Sequence, residues 1–161
     1  MRHAIAFDFD TSQWPDDRQR PLTPEGQKRF SRAARGLRTL VPSVEMVLSS
    51  PWVRAWQTAE LLASEAGWPA PVACEALGSG RGPADILQAL QPFATFTTVA
   101  LVGHEPTLHE LAAYLLTADT DAQIEMRKGS VAHLEVGESL RPGAGRLHWL
   151  LPPKVLRALA P

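Results

Sequence analysis

Runs of apolar residues alternate with amphipathic stretches through the first two-thirds of the chain. Short apolar runs favour buried strands, whereas apolar residues that recur every three or four positions favour helices with one buried face. Strands that alternate with helices predict a mostly parallel sheet covered by helices on both faces. The predicted strands cover residues 4–7, 44–48, 71–74 and 97–102, and the predicted helices cover residues 24–41, 52–66, 83–90 and 106–116.

The pattern changes after the fourth predicted helix. Residues 130–136 alternate between apolar and polar side chains, and residues 146–151 follow a turn rich in proline and glycine. These two segments predict an antiparallel hairpin, and a last helix is predicted over residues 153–160. The sequence therefore predicts an α/β fold in one domain of 161 residues: a three-layer α/β/α sandwich with a mostly parallel central sheet and an antiparallel C-terminal edge hairpin.

Two predicted helices begin with capping signals. Thr23 offers a hydroxyl N-cap, Pro24 suits the first helical position, and Glu25 places an acid in the first turn. Ser50 and Pro51 repeat the hydroxyl and proline before the second helix. These signals place the start of each helix directly after a loop or strand end.

Composition and charge are those of an ordinary globular protein, with 45% apolar and 20% charged residues. The net charge of −1 argues against broad binding to nucleic acid or to anionic membranes, so any anion site must be local. The single cysteine, Cys74, cannot form an internal disulfide, which predicts a reducing, cytoplasmic compartment. No apolar run reaches the roughly 18 residues of a membrane span, and the N-terminus has no signal-peptide pattern.

Cationic side chains stand at the predicted carboxyl ends of strands. Arg54 lies in the first turn of the helix after the second strand, and His104 lies between the fourth strand and its helix. Ligands of parallel sheets bind at this edge, where helix N-termini present free N–H groups. Arg2 and His3 supply a further arginine and histidine, and the arginine fork suits phosphate. Taken singly, Arg54 is equally well a solvated helix residue and His104 a turn residue.

Four segments together carry a more specific signal. They are residues 2–4 (RHA), 20–26 (RPLTPEG), 49–59 (SSPWVRAWQTA) and 102–106 (VGHEP). Together they resemble the histidine phosphatase superfamily, whose fold is phosphoglycerate mutase-like, and within it the small SixA-type phosphohistidine phosphatases. The resemblance extends over almost the whole chain.

This resemblance implies a metal-independent phosphatase that removes the phosphoryl group from a phosphohistidine on another protein. The expected substrate is a phosphotransfer domain in signal transduction. His3 would attack phosphorus and become a transient phosphohistidine that water hydrolyses, while Arg2 and Arg54 hold the phosphoryl oxygens. A protonated His104 would help as a donor. No cofactor is expected, because the cationic side chains take the role that Mg²⁺ has elsewhere.

Two further site residues follow from the same resemblance. Glu75 lies after the third strand, where larger relatives carry the acid that protonates the leaving group; a solvated loop glutamate is the alternative. Arg20 would reach the phosphate from the long first loop. Only a short stretch separates Cys74 from Thr97, where larger relatives insert a lid. The site is therefore expected to be open, as a phosphorylated protein side chain requires.

The beginning of the chain departs from the pattern of the family. Relatives carry several apolar residues that lead into the Arg-His pair, whereas here Met1 directly precedes Arg2. The first strand is therefore expected to be truncated, with a true start upstream. A genuinely short strand, or a gap filled by another chain, would also account for the difference.

Three further functions remain open from the sequence. Residues 4–11 (AIAFDFDT) also resemble the first motif of haloacid-dehalogenase-type phosphatases, with Asp8 as nucleophile, Asp10 as acid/base and Mg²⁺ as cofactor. The lysine and the acidic pair that this family needs later in the chain have only poor matches. The second function is that of a general phosphomonoesterase of the histidine phosphatase superfamily, and the third is that of a non-catalytic phosphoprotein-binding module.

Overall fold

A computed structural model describes residues 1–78, 80–137 and 139–161. Short 3₁₀ turns cover Asp17–Gln19, Glu75–Leu77 and Gln91–Phe93. None of the helices in these ranges is both long and apolar enough to cross a membrane. The helices are α1 (Pro24–Leu40), α2 (Val53–Ala66), α3 (Pro83–Leu90), α4 (Thr107–Thr117) and α5 (Pro153–Ala158), and the strands are β1 (Met46–Ser49), β2 (Val72–Ala73), β3 (Val99–Val102), β4 (Val131–Val136) and β5 (Gly145–Leu151).

The strands form a parallel sheet in the order β2-β1-β3 and an antiparallel hairpin of β4 and β5. Ser49 at the end of β1 lies opposite Ala73 at the end of β2 and Val102 at the end of β3. The carboxyl ends of the three strands therefore meet at one edge. Residues that directly follow β1 and β3 are brought together there, although they are about fifty positions apart in the chain.

The segment at residues 1–3 joins the parallel sheet to the hairpin. Arg2 forms a parallel bridge to Gly103, and the His3 N–H donates to the Gly103 carbonyl at 3.0 Å. On the other side, the Arg2 N–H donates to the carbonyl of Ser130, directly before β4, at 3.2 Å. His3 is thereby fixed beside the carboxyl end of β3.

The strand predicted at residues 4–7 is wrong. The chain leaves the sheet at Ala4, whose N–H donates to the hydroxyl of Thr58 in α2 at 3.0 Å. Ala6 forms only an isolated antiparallel bridge to Leu22. The apolar run is explained by packing, because Ala4 and Ala6 are buried in the core beside the helices.

Two apolar cores flank the parallel sheet. Val47 and Leu48 are consecutive in β1 and therefore point to opposite faces. Val47 belongs to the core formed with α1, α2 and α5, whereas Leu48 belongs to the core formed with α3 and α4. This arrangement confirms the predicted three-layer sandwich with its parallel sheet and C-terminal hairpin.

Two glycines in α1 allow close approaches that hold the layers together. A Cβ at Gly36 would lie 1.8 Å from the carbonyl oxygen of Leu156, so α1 and α5 could not keep their present contact. A Cβ at Gly26 would lie 2.1 Å from the carbonyl oxygen of Ile5. The start of α1 therefore rests against the segment that follows His3.

Candidate active site

His3 is a buried imidazole with a defined tautomer. Its Nδ1 lies 2.7 Å from the carbonyl oxygen of Ala4, which can only accept, so Nδ1 carries the ring proton. The other nitrogen, Nε2, therefore holds a lone pair. Among the described residues Nε2 has no hydrogen-bond partner, and it is not enclosed either. His3 thus presents a nucleophilic nitrogen to an open space.

His104 lies next to His3, with the ring centroids 5.2 Å apart. Its Nε2 lies 2.9 Å from the Ser50 hydroxyl, which also accepts from the Trp52 N–H at 3.3 Å. Donation from that hydroxyl to Nε2 gives the serine hydrogen an acceptor and places the His104 ring proton on Nδ1. The sequence prediction that Ser50 is the helix N-cap is wrong, because Trp52 occupies that position. The hydroxyl of Ser50 orients an imidazole instead.

Arg54 is held between an aspartate and a tryptophan. Its Nη1 donates to the backbone carbonyl of Asp17 at 2.7 Å, and its Nη2 donates to Asp17 Oδ2 at 3.0 Å. The guanidinium carbon lies 4.8 Å from the ring centroid of Trp52, which is in turn 4.7 Å from the His104 ring. Arg54 is fixed from three sides beside the two histidines.

Two further arginines surround this group. Arg20 donates from Nε to Asp17 Oδ1 at 2.6 Å and from Nη1 to the Phe7 carbonyl. Arg2 donates from Nη1 to the Met126 carbonyl at 2.8 Å. Asp17 therefore binds two of the three predicted phosphate-holding arginines.

Three N–H groups in this region are buried without an acceptor among the described residues. They belong to Arg2 Nε, Arg54 Nε and His104 Nδ1. A buried donor without a partner costs about 1–3 kcal/mol, so three in one region are unusual in a relaxed structure. An anion with several oxygens would satisfy them, and two of the three donors carry full positive charge.

Burial and the surrounding cations keep both histidines neutral. Burial first, then the charges of His104, Arg54 and Arg2, lower the pKa of His3 to about 2, against the hydrogen bond to Ala4. Burial first, then mainly Arg54, lower the pKa of His104 to about 3. This corrects the expectation of a protonated His104: in the unliganded protein the ring is neutral, and its Nδ1–H has no acceptor among the described residues.

The charges of Arg54 and Asp17 are coupled. Burial lowers the pKa of Arg54, and the Asp17 carboxylate opposes this change. Burial raises the pKa of Asp17, but the hydrogen bond from Arg20 and the charges of Arg54 and Arg20 outweigh it, so the pKa lies below its ordinary value. Asp17 therefore stays ionised beside a site that otherwise favours anions.

The other predicted candidates form no hydrogen bond with these histidines and arginines in the described part of the chain. Glu75 is exposed on its 3₁₀ turn, and the structure gives its carboxylate no hydrogen bond to the histidines or arginines. Asp8 is exposed, and Asp10 accepts from the Ser12 N–H and hydroxyl within the same loop. Across the described ranges, no group of three or more His, Cys, Asp or Glu side chains is arranged as metal ligands. The two aspartates of the haloacid-dehalogenase alternative therefore belong to a surface loop.

Sequence reasoning missed the roles of two residues of this site, Asp17 and Ser50. Asp17 was not singled out, although its spacing of three from Arg20 is a usual ion-pair spacing on a helical turn. The sequence indicates Ser50 only as a helix cap. Trp52, two positions before Arg54, is expected from the sequence at the edge of the pocket, and the structure places it against Arg54 and His104. The roles of Asp17 and Ser50 depend on contacts across the fold, which local patterns do not show.

Comparisons with known proteins agree with this geometry. The family model of the histidine phosphatase superfamily (branch 1) matches residues 1–77. An uncharacterized protein of Picosynechococcus sp. is 32% identical over 149 residues, which cover 91% of this chain and 86% of that protein.

Solved structures extend the similarity over the whole fold. The protein histidine phosphatase SixA, solved in complex with tungstate, superposes with a TM-score of 0.82 at 26% identity, covering 97% of this chain and 96% of that chain. A candidate phosphohistidine phosphatase SixA from Nakamurella multipartitia superposes with a TM-score of 0.76 at 26% identity, covering 95% of this chain and 93% of that chain. These findings confirm the resemblance stated from the sequence: the chain belongs to the histidine phosphatase superfamily and is of the SixA type.

Proposed function

We propose that this protein hydrolyses phosphohistidine on a partner protein through a covalent phosphohistidine at His3. The observation that carries the proposal is the pairing of a neutral His3, whose Nε2 is free, with three unpartnered N–H donors on Arg2, Arg54 and His104 within the described part of the chain. A nucleophile and a set of oxyanion donors in one buried region are the two parts that phosphoryl transfer requires.

In the first step, the lone pair of His3 Nε2 forms a bond to phosphorus as the bond from phosphorus to the imidazole nitrogen of the substrate breaks. The Nδ1 proton stays on His3, held by the Ala4 carbonyl, so the intermediate is a phosphorylated imidazolium. A substrate phosphohistidine in the same protonated form leaves as a neutral imidazole. No separate acid is needed in this exchange, because the bonds formed and broken are of the same kind.

In the second step, water attacks phosphorus and the bond to Nε2 breaks. The imidazolium of His3 leaves as neutral imidazole, and both hydrogens of the water remain with the released phosphate. Burial, the main cause of the low pKa of His3, destabilises the cationic ring. This favours departure of His3 in the second step and opposes formation of the imidazolium in the first. His3 returns to its starting tautomer without an outside proton.

The phosphoryl oxygens are assigned to Arg2, Arg54 and His104. Arg20 is paired with Asp17 and offsets the negative charge of that carboxylate near the site. Charge-assisted N–H donors fixed before the reaction stabilise the transition state, since they need no reorganisation. SixA, solved with tungstate, binds a tetrahedral oxyanion, which supports an anion site in this similar chain. We propose that these cationic side chains allow activity without a metal ion. We further propose a cytoplasmic location, because a reducing compartment suits a protein with a free cysteine.

Phosphoenzyme trapping tests this proposal. The protein is incubated with phosphoramidate, with and without EDTA, and its intact mass is followed after acid and after base treatment. We expect an adduct that EDTA does not prevent, that acid removes and that base preserves. The adduct should be absent in His3→Ala and present in His148→Ala, a matched control because His148 lies exposed on the hairpin.

The remaining outcomes separate the competing functions. A base-labile adduct that requires Mg²⁺ would identify Asp8 as the nucleophile and overturn the proposal. Phosphate binding without a covalent adduct and without turnover would indicate a phosphoprotein-binding module. Equal turnover of phosphohistidine and simple alkyl phosphates would indicate a general phosphomonoesterase.

A further inference from the structure

Two phenylalanines are exposed on the loop between His3 and Arg20. Phe9 has 68% of its surface exposed and is the most exposed large apolar side chain that the structure describes, and Phe7 is 38% exposed. The Phe7 ring lies 5.9 Å from the ring of Trp14. Exposed aromatic side chains that cluster on one loop are typical of interaction surfaces.

This loop is anchored directly to the site. The Phe7 carbonyl accepts from Arg20, and the Phe7 N–H donates to the Pro21 carbonyl at 3.1 Å. Arg20 in turn binds Asp17, which binds Arg54. The exposed aromatics are therefore connected by three successive contacts to the guanidinium beside the histidines.

The charge of the loop is opposite to that of the site. Residues 7–18 contain four aspartates and one basic residue, the exposed Arg18. Asp17 is engaged by the arginines, whereas Asp8 and Asp16 are exposed. An acidic rim beside a cationic pocket favours a ligand that carries positive charge around its phosphoryl group, and it opposes small polyanions.

We propose that residues 7–16, the docking rim, bind the protein substrate through Phe9 and the exposed carboxylates. The occupant is a protein segment in which apolar and basic side chains flank the phosphohistidine. The inference rests on the proposed function and adds to it the kind of side chains that flank the phosphohistidine in the substrate. Phe9 fills an apolar recess of that segment, and Asp8 and Asp16 pair with its basic side chains.

Two peptides of equal length test the docking rim. Both carry a stable phosphoryl-triazole analogue of phosphohistidine; one flanks it with leucine and lysine, the other with serine and glutamate. Binding is measured by fluorescence anisotropy, which does not require turnover. We expect the wild-type protein to bind the leucine–lysine peptide at least about tenfold more tightly, the usual effect of one buried aromatic anchor with complementary charges.

Variants assign this preference to the rim. Phe9→Ser should lower the affinity for the leucine–lysine peptide about tenfold and leave the affinity for inorganic phosphate unchanged. Asp8→Asn should mainly reduce the salt dependence of binding. The matched control is Phe96→Ser: Phe96 is 38% exposed but precedes β3, at the opposite edge of the sheet from His104.

The results that would overturn the proposal are distinct from those that test catalysis. Equal affinity of the two peptides, or the same loss in Phe96→Ser as in Phe9→Ser, refutes the docking rim. A loss of inorganic phosphate binding in Phe9→Ser would place Phe9 in the phosphate site instead. Rim-dependent binding without a phosphoenzyme at His3 would support the docking rim and refute the hydrolytic mechanism.

Discussion

Asp17 occupies both terminal nitrogens of Arg54, one through its backbone carbonyl at 2.7 Å and the other through its carboxylate at 3.0 Å. The guanidinium is thereby oriented so that Nε remains without an acceptor among the described residues. A negative charge near the phosphate site lowers its affinity for anions, but it prevents the arginine from adopting other rotamers. We infer that Asp17 is a positioning residue. It fixes the geometry of Arg54 and at the same time lowers the affinity of the site for anions.

Replacement of Asp17 by asparagine tests this role. Asp17→Asn removes the charge and retains one acceptor, so Arg54 and Arg20 lose charge-assisted bonds. We expect kcat on phosphohistidine to fall about tenfold or more, the usual effect of losing such a bond. Inorganic phosphate should inhibit more strongly, because a repelling charge is gone. Asp121→Asn, which changes an exposed carboxylate outside the site and the docking rim, is the control. An Asp17→Asn variant with unchanged kcat and unchanged phosphate inhibition would contradict the assignment.

The neutral state of His3 predicts a pH-dependent stability. In the unfolded chain the ring binds a proton below pH 6.5, whereas in the folded protein its pKa is about 2. The unfolded state therefore binds more protons as the pH falls below 6.5, and stability decreases by about 1.4 kcal/mol per pH unit for this residue. We expect the free energy of unfolding, measured with urea between pH 6.5 and 4.5, to decrease less steeply with falling pH in His3→Gln than in the wild-type protein, by about 1.4 kcal/mol per pH unit. The same pH dependence in the two proteins would contradict the low pKa.

The hydroxyl of Ser50 should control the tautomer of His104. Ser50→Ala removes the donor at Nε2, so the ring proton need no longer reside on Nδ1. We expect kcat/KM to fall about tenfold, consistent with one hydrogen bond lost in a buried site. Ser49→Ala is the matched control, because Ser49 is equally buried but donates to the Ser50 carbonyl at 3.0 Å. Equal losses in both variants would indicate a general effect on the end of β1.

Glu75 remains a prediction that substrate choice can test. Its carboxylate is exposed, and a phosphohistidine substrate supplies a leaving group that needs no acid. Glu75→Gln should therefore change the hydrolysis of phosphohistidine less than about twofold, while lowering that of an alkyl phosphate by about a hundredfold, as expected for loss of a general acid. If both substrates lose activity equally, Glu75 acts on binding or structure and not as an acid.

The elements that were predicted well are those whose signal is local. Gly82 and Pro83 mark the start of α3, and the alternation of apolar and polar residues marks β4. Each signal lies within a few residues, and the structure places both elements as predicted. The N-terminal strand was not predicted correctly, because the pairing of Arg2 depends on Gly103 and Ser130. An apolar run alone does not distinguish residues that pack against helices from residues that belong to a sheet.

The site shows the same division. Strand ends followed by His104 and Arg54 were visible because the rule for parallel sheets converts sequence position into position in space. Asp17 was not visible, since a single aspartate in a polar loop has no periodicity and its partner Arg54 is 37 residues away. The proton on His3 Nδ1 was equally hidden, because a backbone carbonyl determines it.

The pairing of residues 1–3 with residues 103 and 130 also determines when the proposed nucleophile, His3, reaches its environment during synthesis. His3 leaves the ribosome about a hundred residues before Gly103, to which its backbone is hydrogen-bonded. Until both partners have been translated, the imidazole has neither its neighbour His104 nor its buried environment. An incomplete chain therefore exposes an ordinary histidine that titrates near neutrality. The phosphoryl transfer proposed for His3 would begin only when most of the protein has been made.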